Sequence, residues 1–159
     1  MFEDVKERIK SHEGFNNRVY KDSLGKRTIG YGHLVLPTDS FKDGEYYETS
    51  VLNDLFEQDF QNALDQAQQL LDGYNLSDKA IGVIVEMIFQ LGIGGVSKFK
   101  LMLNALMAED YDTAAYQMLT SEWHRQSPKR CEELSDIIRS CKNISWSHSQ
   151  KTILGVYGK

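Results

Sequence analysis

The sequence predicts an α+β fold, mostly α: a small N-terminal antiparallel sheet lobe joined by a long helix to a helical lobe. Three observations predict it. β-prone residues and turn signals are confined to about residues 18–36. One apolar stripe at three- and four-residue steps then runs from Ser50 to Asp72. Helical patterning punctuated by capping residues fills the remainder. At 159 residues the chain is expected to be a single domain. Its sheet lobe is placed at about 12–49, its interlobe helix at about 50–72, and its helical lobe at about 74–159 together with the N-terminal helix.

The elements follow in order. Phe2 to Ser11 reads as a short helix, because Phe2, Val5 and Ile9 fall on one side, and Gly14 is its stop signal. Arg18-Val19-Tyr20 and Arg27-Thr28-Ile29-Gly30-Tyr31 are β-prone, and Asp22-Ser23-Leu24-Gly25 is the turn between them. Pro37 through Tyr47 is a polar loop. In the long helix Val51, Leu52, Leu55, Phe56, Phe60, Ala63, Leu64, Ala67, Leu70 and Leu71 form the buried stripe. Thr49 or Ser50 caps its start and Gly73 its end. Such a helix spans roughly 33 Å, the width of a small domain.

Ser77 is a good N-cap for a helix from Asp78 to Leu91, after which Gly92, Gly94 and Gly95 are expected to break the chain. Further helices are expected from Ser97 or Lys98 to Met107, and from Asp112 to Leu119. Ser127-Pro128 opens another toward Lys142, with proline in the first turn. Ser147 is a candidate cap for a last short helix.

Composition excludes several classes. A net charge of −5 does not suit a broad phosphate-binding surface, so no nucleic-acid partner is expected. Met1-Phe2-Glu3-Asp4-Val5-Lys6-Glu7-Arg8 is charged and lacks the apolar core of a secretory signal. The most apolar stretch, Ala80 to Leu91, falls short of the ~20 residues of a membrane span and contains Glu86. It reads as a buried core helix, and no stable membrane association is expected. Cys131 and Cys141 lie ten residues apart, about 15 Å along a helix, beyond disulfide reach. They read as two reduced, partly buried thiols, and they lack the paired spacing of a metal site.

The chemistry concentrates near the N-terminus. Glu13 precedes Gly14, Asp22 follows nine residues later, and Thr28 six after that, leading into Ile29-Gly30-Tyr31-Gly32-His33. Each alone is ordinary: a helix-end glutamate, a turn aspartate, a strand threonine. Together they supply an acid, a base and a water holder, and a pair of carboxylates is what most sugar hydrolases use. A lone His33 makes no metal site and reads as structural, paired with a carboxylate.

This run, Glu13 with Tyr20-Lys21-Asp22-Ser23-Leu24-Gly25 and Thr28-Ile29-Gly30-Tyr31-Gly32-His33, resembles the phage-type lysozymes, the T-even phage family of muramidases. Three later segments fit in order. They are Phe56-Glu57-Gln58-Asp59, Met87-Ile88-Phe89-Gln90-Leu91-Gly92 with Gly95-Val96 and Phe99, and Trp123-His124-Arg125-Gln126-Ser127-Pro128-Lys129-Arg130. The resemblance covers about residues 1–33 and 50–131. Between His33 and Phe56 the chain is shorter than in the best-known members, beyond Arg130 it is longer, and its charge is acidic where theirs is basic.

The resemblance implies roles. Glu13 is the general acid, Asp22 the carboxylate that handles the attacking water, and Thr28 its holder. Arg130 would orient Glu13, and His33 would pair with Asp59. Gln90 and Phe99 would line the glycan cleft, with Trp123 and Gln126 supporting its floor. A threonine in the set points to a held water and so to inversion.

The implied substrate is the β-1,4 bond between N-acetylmuramic acid and N-acetylglucosamine in peptidoglycan glycan strands, with no cofactor and no metal. The implied setting is a monomeric endolysin in the host cytoplasm, acting on the wall or periplasm after a separate membrane-permeabilising protein, in a phage a holin, releases it. The competing readings are a hydrolase of chitin-like glycans, a non-catalytic peptidoglycan-binding or scaffold relative, and a toxin or tail-associated lytic subunit. Joint retention of Glu13, Asp22 and Thr28 favours an enzyme, since binding needs no acid–base pair.

Overall fold

A computed structural model describes residues 2–153, with side chains through Lys142. Among these residues the fold is α+β and mostly α, with seven helices and one three-stranded antiparallel sheet. The chain divides into two compact units, Met1–Leu64 and Asp65–Lys159.

The first unit begins with α1 (Glu3–Glu13), which buries Val5 and Ile9 and carries Glu3 and Asp4 in its first turn and Lys10 and His12 in its last. That order of charges complements the helix dipole. The sheet is a meander of β1 (Asn16–Lys21), β2 (Arg27–Gly30) and β3 (His33–Leu34). Tyr20 pairs with Thr28 and Lys21 with Arg27, and a register shift separates Tyr20 from the Asn16–Gly30 pair. Across the second hairpin Thr28 faces Leu34 and Ile29 faces His33.

Helix α2 (Thr49–Leu70) follows, and the boundary between the units falls within it. Its Leu52, Phe56, Phe60 and Ala63 join Val5, Ile9 and Ile29 as the buried apolar residues of the first unit. The Tyr31 ring stands between Phe15 (4.8 Å) and Phe56 (5.4 Å), and the Lys10 ammonium lies 5.2 Å and 4.9 Å from the Tyr31 and Phe56 rings.

The second unit is helical: α3 (Asp78–Ser97), α4 (Lys100–Met107), α5 (Tyr111–Leu119), α6 (Glu122–Gln126) and α7 (Pro128–Ile153). Ser77 caps α3 by accepting the Ala80 N–H, and Asp110 caps α5 by accepting from Thr113. The α7 helix packs against α3, α5 and α6. Ile84, Met87, Met102, Leu106, Met118, Leu134 and Ile138 are fully buried in this unit. Burial of a side chain of that size stabilises by about 1.5–3 kcal/mol.

Three expectations are corrected. Of the three glycines expected to break the chain, only Gly92 leaves helical geometry (φ 79°, ψ 158°), and helix resumes through Gly94 and Gly95 to Ser97. Glycine is tolerated in a helix at a cost of about 1 kcal/mol, so it permits a break without requiring one. The resumed turn makes α3 20 residues long, enough by length and composition to cross a membrane. Its Ala80, Gly82–Ile88 and Val96 are instead buried inside the fold, with the charged Glu86 among them. The last helix does not restart at Ser147, because α7 continues unbroken through Ile153. The α6 helix has no counterpart in the sequence reading. Its five residues are too few to show a period, and only the Ser121 cap, accepting from His124, marks it.

Candidate functional site

Glu13 is the last residue of α1, half-buried, and its carboxyl occupies the space a side chain at Gly32 would fill. A Cβ added at Gly32 would stand 2.5 Å from Glu13 Oε1 and 3.0 Å from its Cδ. Gly32 also has a φ of +75°, in the left-handed region. Both facts demand glycine there. The Gly-Tyr-Gly turn between β2 and β3 is therefore the seat of the Glu13 carboxyl.

Asp22 sits just past β1 and ties down the turn into β2. Its Oδ1 accepts the backbone N–H groups of Leu24 (2.9 Å) and Lys26 (2.8 Å). Its own N–H donates to the Lys26 carbonyl, and its carbonyl accepts from Gly25. One carboxylate oxygen is thus fixed by backbone, and Oδ2 has no hydrogen bond among the described residues. Thr28, 5% exposed on β2, donates its hydroxyl proton to the Lys26 carbonyl at 3.0 Å. Its oxygen keeps only acceptor capacity. Two acceptors with fixed orientation, Asp22 Oδ2 and Thr28 Oγ1, therefore belong to the first hairpin.

Opposite Thr28 stands Tyr20, a residue quoted only as part of the motif in the sequence reading. Burial, then the negative charges of Glu13 and Asp22, push its phenol above the usual value.

His33 is held between two carboxylates. Its Nδ1 lies 2.7 Å from Asp59 Oδ2 and its Nε2 2.9 Å from Asp39 Oδ2. Only the imidazolium can donate at both nitrogens. Burial pulls the His33 pKa down, but hydrogen bonds and charges from Asp59 and Asp39 outweigh it, and the net shift is upward. Asp39 shifts downward: burial opposes ionisation, while the Leu36 N–H (2.8 Å) and His33 favour it more.

Asp39 lies in the 37–47 loop, whose polar composition gave no hint of this role. A second fastening of the loop comes from Arg27, which donates to Asp43 Oδ1 from Nε (2.9 Å) and Nη2 (2.7 Å) and to the Phe41 carbonyl (3.2 Å). At its end the Tyr47 N–H donates to the Asn17 carbonyl.

The remaining site candidates lie in the second unit. The buried Trp123 donates its indole N–H to Gln90 Oε1 (3.0 Å), and Gln90 Nε2 donates to Ser127 Oγ (3.1 Å). Gln90 is thereby locked in one amide orientation with one N–H still to spend. Phe99, at the N-terminus of α4, meets Trp123 edge-on at 6.3 Å. Gln126 is exposed at the end of α6. Arg130, on α7, donates from Nε to Oε2 of the fully buried Glu86 at 2.8 Å. Glu86 was read from sequence only as an interruption of an apolar helix, since 44 residues separate it from its partner. Among the described residues no group of three His, Cys, Asp or Glu side chains is arranged to hold a metal ion.

Comparison with known proteins places these positions in context. The phage lysozyme family model matches residues 10–139. The probable T4-type lysozyme 2 of Dictyostelium discoideum is 29% identical over 163 aligned positions, covering 88% of this chain and 96% of that protein. The probable T4-type lysozyme 1 of the same organism is 28% identical, with the same coverage. The pre-baseplate central spike protein Gp5 of Enterobacteria phage T4 is 27% identical over 92% of this chain, which matches 29% of the spike protein.

Proposed function

From the chain's place in the phage lysozyme family, which makes it a glycoside hydrolase of the lysozyme kind, we propose that it is a muramidase hydrolysing the β-1,4 bond between N-acetylmuramic acid and N-acetylglucosamine in peptidoglycan. The observation that carries the proposal is that the acid and the water-holding groups are each fixed by one small sheet and its turns. Glu13 is seated on Gly32, Asp22 has one oxygen fixed and one open, and Thr28 has its hydroxyl proton already committed.

The proposed reaction runs in one displacement. Protonated Glu13 gives its proton to the glycosidic oxygen as the bond to the anomeric carbon breaks. A water donates one hydrogen to Asp22 Oδ2 and the other to Thr28 Oγ1, which turns its lone pair toward that carbon. Attack forms the new C–O bond, the surplus proton passes to Asp22, and configuration inverts. Within the second unit Gln90, oriented by Trp123 and Ser127, keeps one N–H with which that unit can bind a glycan. No cofactor enters any step. The proposed setting is the cell wall or periplasm, reached after release across the inner membrane.

Clearing of outer-membrane-permeabilised Gram-negative cells tests this. Wild type is expected to clear them, and Glu13→Gln to be slower by at least about 100-fold, the scale of general-acid catalysis, with its melting temperature unchanged. Equal clearing by the variant would remove Glu13 from the chemistry. A folded wild type that clears nothing would leave a glycan-binding relative or a chitin-like substrate. NMR of the first product's anomeric proton reads the stereochemistry.

A further inference from the structure

The 37–47 loop is fastened to the three strands in turn. Asp39 meets His33 on β3, the Phe41 carbonyl and Asp43 meet Arg27 on β2, and the Tyr47 N–H meets the Asn17 carbonyl on β1. The first of these fastenings differs from the others in kind. Arg27 keeps its charge at any ordinary pH, and a backbone bond carries none, whereas an imidazole gains or loses its charge near neutrality.

His33 faces a carboxylate oxygen at each ring nitrogen, 2.7 Å away at Nδ1 and 2.9 Å at Nε2. Carboxylates only accept, and a neutral imidazole carries one N–H. Once the ring loses a proton, a lone pair must therefore face one of the two carboxylates. Asp59 belongs to α2, whose backbone bonds are made within the helix. Asp39 belongs to a four-residue turn that it closes on itself, donating its N–H to the Leu36 carbonyl (2.9 Å) and accepting the Leu36 N–H at Oδ2 (2.8 Å). The turn can move as a piece, and the helix cannot. We propose that His33 and Asp39 form a pH-operated clasp on the 37–47 loop, closed on the imidazolium and released when the ring becomes neutral.

The charged groups acting on His33 are Asp39 from the loop and Asp59 from α2. Ile29, paired with it from β2, and Phe41, edge-on at 6.3 Å from the loop, are uncharged. Both carboxylates favour the imidazolium, and His33 in turn favours the Asp39 anion. The clasp is therefore closed between the lowered pKa of Asp39 and the raised pKa of His33, and opens on the alkaline side. Release is confined to the first half of the loop, because Arg27 still holds Asp43 and the Phe41 carbonyl. The clasp does not depend on the reaction proposed above.

Carbon NMR on the whole chain tests this. The His33 Cε1 shift reads protonation of the ring, and Cα relaxation at Thr38 and Gly44 reads the two halves of the loop. None of these signals is lost to amide exchange at high pH. The Thr38 order parameter is expected to fall from about 0.85 to below about 0.6 with the same midpoint as the His33 titration, while Gly44 does not change across it. Asp39→Asn supplies the control. An amide can accept from Nε2–H or donate to its lone pair, so it fits either form of the ring. Thr38 in the variant is expected to stay ordered on both sides of the His33 titration, whose midpoint falls.

A variant with Thr38 loose at every pH also supports the clasp, since the carboxylate is then what holds the turn. Thr38 order that is constant through the wild-type His33 titration overturns the proposal. So does the same fall at the same midpoint in Asp39→Asn, or an equal loosening of Gly44, which would make the transition a general one.

Discussion

In the first unit Arg27 meets Asp43 at the surface and a mostly buried His33 meets the partly exposed carboxylates of Asp39 and Asp59; in the second, Arg130 meets a Glu86 carboxylate that is fully buried in a packed helical core. The first unit has a modest set of buried apolar residues and a loop of about eleven residues to hold, and it fastens that loop with charge. The second already has ample apolar packing, and its ion pair costs desolvation that only good geometry offsets. The same kind of bond is thus adjustable by solvent in one place and fixed by packing in the other.

The largest test of this contrast is Glu86→Ala. It removes the fully buried carboxylate to which Arg130 Nε donates, and a loss of about 3–5 kcal/mol in urea unfolding is expected. A loss below about 1 kcal/mol would mean that the pair is effectively solvated. Next is His33→Asn, expected to lower stability by about 1–3 kcal/mol, more than it lowers activity.

That difference should depend on pH with a definite sign. The folded pKa of His33 is raised, so its contribution is complete below about 6.5 and is lost as pH rises through the folded value. The folded pKa of Asp39 is lowered, so its contribution is complete above about 3.9 and is lost as pH falls through its folded value. Melting curves of wild type and His33→Asn should therefore diverge most between about pH 4 and 6.5 and converge on the alkaline side. A gap independent of pH would deny the imidazolium its role. The smallest effect is expected for Arg27→Ala, under about 1 kcal/mol, since Arg27 is 41% and Asp43 76% exposed. A cost matching that of Glu86→Ala would erase the distinction between the units.

The sequence made the local parts of this architecture legible. The stripe from Leu52 to Ala67 gave α2, the Ser77 cap gave the start of α3, and the Asp22 turn gave the first hairpin, because each is written in residues a few positions apart. Glu13, Asp22 and Thr28 stood out by their combination. What escaped was joined by folding alone. Asp39 reaches His33 from a loop with no period, Glu86 reaches Arg130 across 44 residues, and Tyr20 gains its setting from strand register. The Gly32 contact was half visible: the motif flagged the glycine, while the carboxyl lying on it belongs to another element.

Cys131 and Cys141 are both free and fully buried on α7. The Cys131 thiol is pushed up to about 12 by burial and by the Glu132 charge, and Cys141 is also raised, chiefly by burial. Thiolate is the form that reacts with oxidants and other thiols, so neither sulfur offers a nucleophile at neutral pH. A chain built this way is redox-silent: moving from reducing to oxidising surroundings presents it with no disulfide to form and no cross-linked dimer to escape.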